Sequence, residues 1–205
     1  MLRQCAKTTL GRLSVFIFAA GAIALAAQST DNLIPYTSCQ FSDGLQIVQT
    51  DPLASGIASR EVETDSGPRR IDLLAGRRII FAYPNTDFYA NVKAESLPTA
   101  NYAQFKGFLL DNLQYLSHSN IVNAALHSPL NGFEIHGIDR EKLEGGVLGI
   151  YLLFDDASHV VTTIYMLNQE PQERKFQSMG EYGTLRDRFL ASYSACIRKN
   201  QQNNQ

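Results

Sequence analysis

Cysteine placement constrains this chain more than any other feature. The cysteines are Cys5, Cys39 and Cys196. Without Cys5 the remaining two stand near opposite ends, and a bond between them would close a loop of more than 150 residues. In the chain-entropy picture such a loop is worth up to about 5 kcal/mol, less in practice, because the crosslink restricts the unfolded chain. The fold must then bring its first elements against its last. An even pair in an oxidising compartment is expected to join. In a reducing compartment, two buried free thiols packing as small hydrophobes would be the alternative.

The compartment is read from the first residues. Arg3, Lys7 and Arg12 make a basic start, no acid appears before Asp31, and Leu13 to Ala27 is an apolar run of 15 residues. Ala24-Leu25-Ala26 supplies the small residues that a signal peptidase needs, so residues 1–26 are expected to be a cleaved export signal. The run is shorter than the roughly 20 residues that cross a hydrocarbon core as a helix, which disfavours a permanent anchor. A mitochondrial presequence shares the basic, acid-poor start but seldom carries so long an apolar block. Cys5 comes too early for lipid attachment. The expected address is periplasmic or secreted, with no integral membrane association after cleavage, and Cys5 departs with the signal.

Residues 27–198 suit one domain with a proper core, and the polar residues 199–205 read as a disordered tail. A formal charge of -2 argues against nucleic acid as a partner. Runs rich in Val, Ile, Phe and Tyr, separated by turn residues, predict strands over 45–50, 57–64, 69–74, 77–83 and 88–94. Tyr102, Phe105, Leu109, Leu113 and Leu116 then recur at helical spacing, with Thr99 or Asn101 available as a cap. Strands follow over 121–127, 132–138, 147–154 and 159–167. The last two are nearly continuously apolar, as central strands covered on both faces are. Tyr182, Leu185, Phe189, Tyr193 and Cys196 form a second helical stripe, which turns Cys196 toward the core. Hairpin-connected strands with few helices predict an α+β fold, an antiparallel sheet flanked by helices in an α/β/α-type sandwich.

Chemistry is harder to place. No nucleophile elbow, zinc-protease pair, C-x-x-C, dinucleotide loop or phosphate loop occurs, which argues against an enzyme without closing the question. The best polar constellation is His127, Glu134 and His136. If Ser128 to Asn131 form a hairpin loop, His127 pairs with Gly132, Ala125 pairs with Glu134, and the three polar side chains share one face. Two imidazoles and a carboxylate are a competent zinc or copper set. A half-exposed strand has the same alternation with no ligand at all, and no metal or other cofactor is expected. Asp155 and Asp156 read as a solvated hairpin tip, Gly145-Gly146 as a turn, and Arg186-Asp187-Arg188 as the solvated side of the last helix.

The stretches Gly145-Gly146-Val147-Leu148-Gly149-Ile150-Tyr151, His159-Val160-Val161-Thr162-Thr163-Ile164-Tyr165 and Leu185-Arg186-Asp187-Arg188-Phe189-Leu190 follow meandering strands and a helix. In that order they resemble the PsbP-like family over the last 110 or so residues. The resemblance implies an α/β/α sandwich whose members mostly bind or support other proteins, and it carries across no functional residue. The resulting expectation is an exported, non-catalytic binding or accessory protein that takes a protein partner. A carrier of a small apolar ligand is the alternative, and a metal-dependent enzyme comes third.

Overall fold

The computed structural model describes residues 32–52, 59–64, 67–118, 122–143, 145–168 and 176–203. The predicted export segment 1–26 lies outside these residues, as do positions 57, 58 and 121 of the predicted strands and the final Asn204-Gln205 of the predicted tail. In chain order the elements are α1 (Ile34–Thr37), β1 (Gln46–Pro52), β2 (Ser59–Thr64), β3 (Gly67–Asp72), β4 (Ala75–Ala82), β5 (Tyr89–Ser96), α2 (Thr99–Ser117), β6 (Val122–Leu130), β7 (Phe133–Arg140), β8 (Val147–Asp155), β9 (Val160–Leu167) and α3 (Met179–Asn203). The α+β class holds. Seven strands form one sheet in the order β1-β4-β5-β9-β8-β7-β6, and β2 and β3 make a separate hairpin. Each neighbouring pair runs antiparallel.

Strand β9, the last in sequence, takes the middle of the sheet, between β5 and β8. That position explains its nearly continuous apolar character: a central strand covered on both faces has no solvated side. Successive residues of β8 feed different cores. Tyr151 and Leu153 pack with Phe189, Tyr193 and Ile197 of α3, whereas Leu152 and Phe154 pack with Tyr102, Phe105 and Leu113 of α2 and with Val62 and Ile71 of the β2–β3 hairpin. The period of 2 along a strand therefore sorts one segment between two cores. On the α3 side, the Phe81 ring lies 5.3 Å from Phe189 and 4.8 Å from Tyr193, and Phe88 lies 5.4 Å from Phe189. Such ring pairs add about 0.5–1.5 kcal/mol each beyond the area they bury.

Helix α3 starts at Met179, where Ser178 Oγ accepts from the Glu181 N–H at 3.1 Å and the Glu181 carboxylate accepts from the Gln177 N–H at 2.7 Å. Two otherwise unpaired donors are thus satisfied reciprocally. Helix α2 is different, because its first position follows Pro98 and no side chain caps it. Thr99 turns its hydroxyl to His159 Nδ1 instead, at 3.2 Å.

The structure corrects two expectations about local geometry and adds one element. Residues 199–203 belong to α3 and are not a disordered tail. Asn200 Nδ2 donates to Pro35 O at 3.1 Å and Gln201 donates to Asp155, so contacts across the fold extend the helix. The β6–β7 turn is the two-residue Asn131-Gly132, both at positive φ (52° and 80°), in place of the loop Ser128 to Asn131. Asn and Gly tolerate that conformation better than other residues, and it suits the twist of a tight hairpin. Strand β6 consequently runs on through Pro129, which an edge strand can accommodate. Finally, the four-residue helix α1 had no counterpart in the sequence reading. It places Tyr36 at full burial against α3.

Candidate functional site

The shorter hairpin changes the partners of the predicted constellation. His127 lies opposite His136, and Glu134 opposite Pro129. Glu134 and His136, two residues apart on β7, share one face of the sheet. The His127 side chain lies outside the described residues. Glu134 and His136 do meet: Glu134 Oε1 lies 2.7 Å from His136 Nε2. Lys106, from α2, reaches the other oxygen and donates to Glu134 Oε2 at 2.6 Å and to Asp156 Oδ1 at 3.0 Å. Tyr102, one helical turn earlier, donates to the same Asp156 oxygen at 2.8 Å. The ammonium also sits 4.9 Å from the centroid of the Phe154 ring.

A Lys side chain buried along its stem and paired at its head is a pin between helix and sheet. Burial works against the Lys106 charge, but the bonds from Glu134 and Asp156 outweigh it and raise its pKa. The Lys106 bond, then the His136 bond, hold the Glu134 pKa down to about 2 against the small opposing effect of burial. Among the described residues, no three His, Cys, Asp or Glu side chains come together as a metal ligand set.

The lowered Glu134 pKa makes a prediction with a definite sign. A depressed carboxyl stabilises the fold above its unfolded value and loses that contribution as pH falls through its folded value. The pin is therefore fully effective above about 4.5 and is lost as pH falls toward about 2. Thermal midpoints of wild type should fall steeply across that window. Glu134→Gln should flatten the fall, and curves of equal slope would refute the assignment.

A second polar cluster lies on the other side of the sheet. Asp139 on β7 accepts from the hydroxyls of Tyr151 and Tyr182 and pairs with Arg186. Burial pushes both phenols well above their ordinary pKa, and the Asp139 charge adds to it, so each stays a donor. Arg186 thus faces the sheet and is not a solvated residue of α3. It stands one turn beyond Tyr182 on the core stripe, and that spacing is the signal the sequence reading passed over. Glycine makes the room. Gly137 lies opposite Tyr151 and Gly149 opposite Asp139, and a Cβ on Gly149 would overlap both Tyr182 Oη and Asp139 Oδ1. Gly149→Ala is expected to cost about 1–3 kcal/mol through overpacking. Urea unfolding would measure it, and an unchanged midpoint would contradict the close packing.

Asp155, read as a solvated tip residue, is 3% exposed. It accepts from Tyr36 Oη at 2.5 Å and from Gln201, and joins α1, the β8–β9 hairpin and the end of α3. Tyr193 Oη adds a bond to Tyr36 O at 3.1 Å. Beside this junction Cys39 and Cys196 stand at disulfide distance, with Cα atoms 5.7 Å apart. Their predicted proximity holds, and Cys196 does face the core from its helix.

Next to Cys196 a groove of about 530 Å³ opens between residues 40–43, Leu130 and Asn131 at the β6–β7 turn, and α3. Both walls are fastened. Asn131 Nδ2 donates to Ser194 Oγ at 2.8 Å, and Arg198 donates to Asn131 O at 3.1 Å and to Gly132 O at 3.0 Å, which clamps the turn to α3. On the other wall, Asp43 Oδ2 accepts from Ser192 Oγ at 2.7 Å, Tyr83 Oη at 2.8 Å and Arg188 Nε at 3.3 Å. Burial alone would raise the Asp43 pKa, but these donors outweigh it and lower it. Sequence reading missed the groove because its walls come from segments about 150 residues apart, and none carries a local motif.

No helix among the described residues is long and apolar enough to cross a membrane. No family model, curated protein or solved structure matches this chain.

Proposed function

We propose that this chain is an exported, non-catalytic binding protein, built as an α/β/α sandwich in which α3 covers one face of the sheet and α2 with the β2–β3 hairpin covers the other. The observation that carries the reading is the groove of about 530 Å³ beside Cys196. Its walls are fixed by Asp43 on one side and by the Arg198 clamp on the other. A pre-formed recess loses little order when a partner enters it. The polar clusters support the same reading. Glu134, Asp139 and Asp155 each tie together elements distant in sequence, a role in holding a scaffold rigid. A joined Cys39–Cys196 pair would lock the groove wall that follows α1 to α3, and such a bond suits an exported chain.

The groove also falls within the 300–1,000 Å³ or so of small-molecule sites. That volume favours a small ligand as the second reading, with Phe41, Leu130, Ala191 and Ala195 as apolar contacts. A photocrosslinking residue at position 195 discriminates between the two. On a protein partner it should yield a discrete adduct in the native host, while the same residue at exposed position 111 of α2 should not. Equal labelling from both positions would refute a groove partner, and co-purifying small-molecule mass in a native spectrum would favour the carrier. The intact mass of the mature protein should correspond to loss of residues 1–26, and retention of Met1 would refute export.

A further inference from the structure

Cys196 lines the groove together with the small residues Ala191, Ser192 and Ala195. Cys39 is not part of that lining. Its sulfur lies 3.7 Å from Pro35 O. The two cysteines thus differ in their place relative to the groove, although both are equally buried overall. They also differ in anchorage: Cys196 sits within α3, whereas Cys39 lies just beyond α1 in a stretch with no regular structure. Asn200 Nδ2 lies 3.5 Å from Cys196 Sγ and 4.0 Å from Cys39 Sγ, an amide donor within reach of both. Lys199 supplies a positive charge on the groove wall.

We propose that the groove is a thiol–disulfide exchange site, in which an external dithiol attacks Cys196 Sγ and Cys39 is the leaving sulfur. The inference rests on Cys39 and Cys196 being bonded, and not on the identity of any groove partner. The attacking thiolate forms a bond to Cys196 Sγ as the Cys196–Cys39 bond breaks, and the electron pair leaves on Cys39 as a thiolate. Asn200 can donate to that thiolate before it takes a proton from water. The second thiolate of the reagent then attacks its own sulfur in the mixed disulfide, which closes the reagent's ring and releases Cys196 as a thiolate. The protein pair gains two electrons and the dithiol loses two. Exchange rates depend on which sulfur can be reached and on how well the other leaves. The groove presents Cys196, the one of the pair that lines it, and Cys39, in a stretch without regular structure, is the sulfur that departs. By microscopic reversibility, an external disulfide that installs the bond is attacked by the Cys196 thiolate and displaced by Cys39. The substrate class is therefore a dithiol or disulfide whose reactive sulfur can enter the groove, and the positive Lys199 favours an approaching thiolate.

Three measurements test this. Thiol titration of the oxidised protein in denaturant should find no free thiol; two free thiols would overturn the bond itself, separately from the site of attack. Brief exposure to glutathione, acid quench, alkylation and peptide mass mapping should place glutathione on Cys196 and the alkyl group on Cys39. The reverse distribution would overturn the proposal. The rate of reduction by dithiothreitol, measured well below the melting temperature, should fall about tenfold in Ala195→Trp, which fills the recess, because access limits exchange. A wild-type rate in that variant would overturn it. Should Ala195→Trp fail to fold, Lys199→Glu serves in its place: its rate with glutathione should drop severalfold, and an unchanged rate would count against the groove as the route.

Discussion

Asp139→Ala is expected to destabilise the protein by about 3–5 kcal/mol, the usual cost of stranding one partner of a buried ion pair. Asp139 collects two tyrosine hydroxyls and a guanidinium on one carboxylate. Its removal leaves Arg186, whose side chain is 20% exposed, without its principal counter-charge at the sheet. It also leaves the buried hydroxyls of Tyr151 and Tyr182 without the acceptor they share. A buried donor that loses its acceptor forfeits its desolvation cost in full. Asp139→Asn should cost less, since its amide oxygen still accepts while the charge is gone. The double variant Asp139→Leu with Arg186→Met should recover much of the loss, because apolar replacement of a whole pair is often neutral. Urea midpoints of the four proteins would check the ordering. A single variant within about 1 kcal/mol of wild type would show that the cluster contributes little, since breaking a buried pair costs several times that.

The second large effect is expected at the two cysteines. If Cys39 and Cys196 are joined, their separation of 157 residues makes the constraint on the unfolded chain one of the larger ones a single crosslink can impose. Removing it by Cys39→Ser should cost about 2–5 kcal/mol. Cys196→Ser should cost as much, and the double variant should add nothing further, because the same bond is lost each time. The melting temperatures of oxidised and reduced wild type should differ by a similar free energy. Identical melting with and without reductant would exclude a stabilising bond.

How legible the fold was depended on how local its causes are. Apolar periodicity and turn residues located both long helices and the strands to within a few residues, because the helix at Tyr102 and the strands at Val147 and Val160 are written in side-chain spacing. Register and strand order are not local. Nothing near Tyr89 or Val160 announces that β5 will pair with β9, and the β6–β7 register was misplaced because Asn131-Gly132 was not weighed as a two-residue turn. The polar pins were hidden by the same alternation that revealed the strands. Glu134 read as part of a half-exposed polar face and Asp139 lay just beyond the predicted strand 132–138; only when α2 and α3 are laid over the sheet do Lys106 and Arg186 acquire them as partners. Of the predicted cluster, Glu134 and His136 could be grouped from strand alternation. Lys106, which decides what the pair does, came from a different element.

The sheet also sets a timetable. Its middle member, residues 160–167, separates β1-β4-β5 from β8-β7-β6, and it is synthesised after all the others. Until it arrives, the nascent chain holds two half-sheets, each with a raw inner border that cannot be mended by the other. Closing long loops before long-range pairing is intrinsically slow. A polypeptide ordered in this way can complete its sheet only late, when its central strand finds both neighbours.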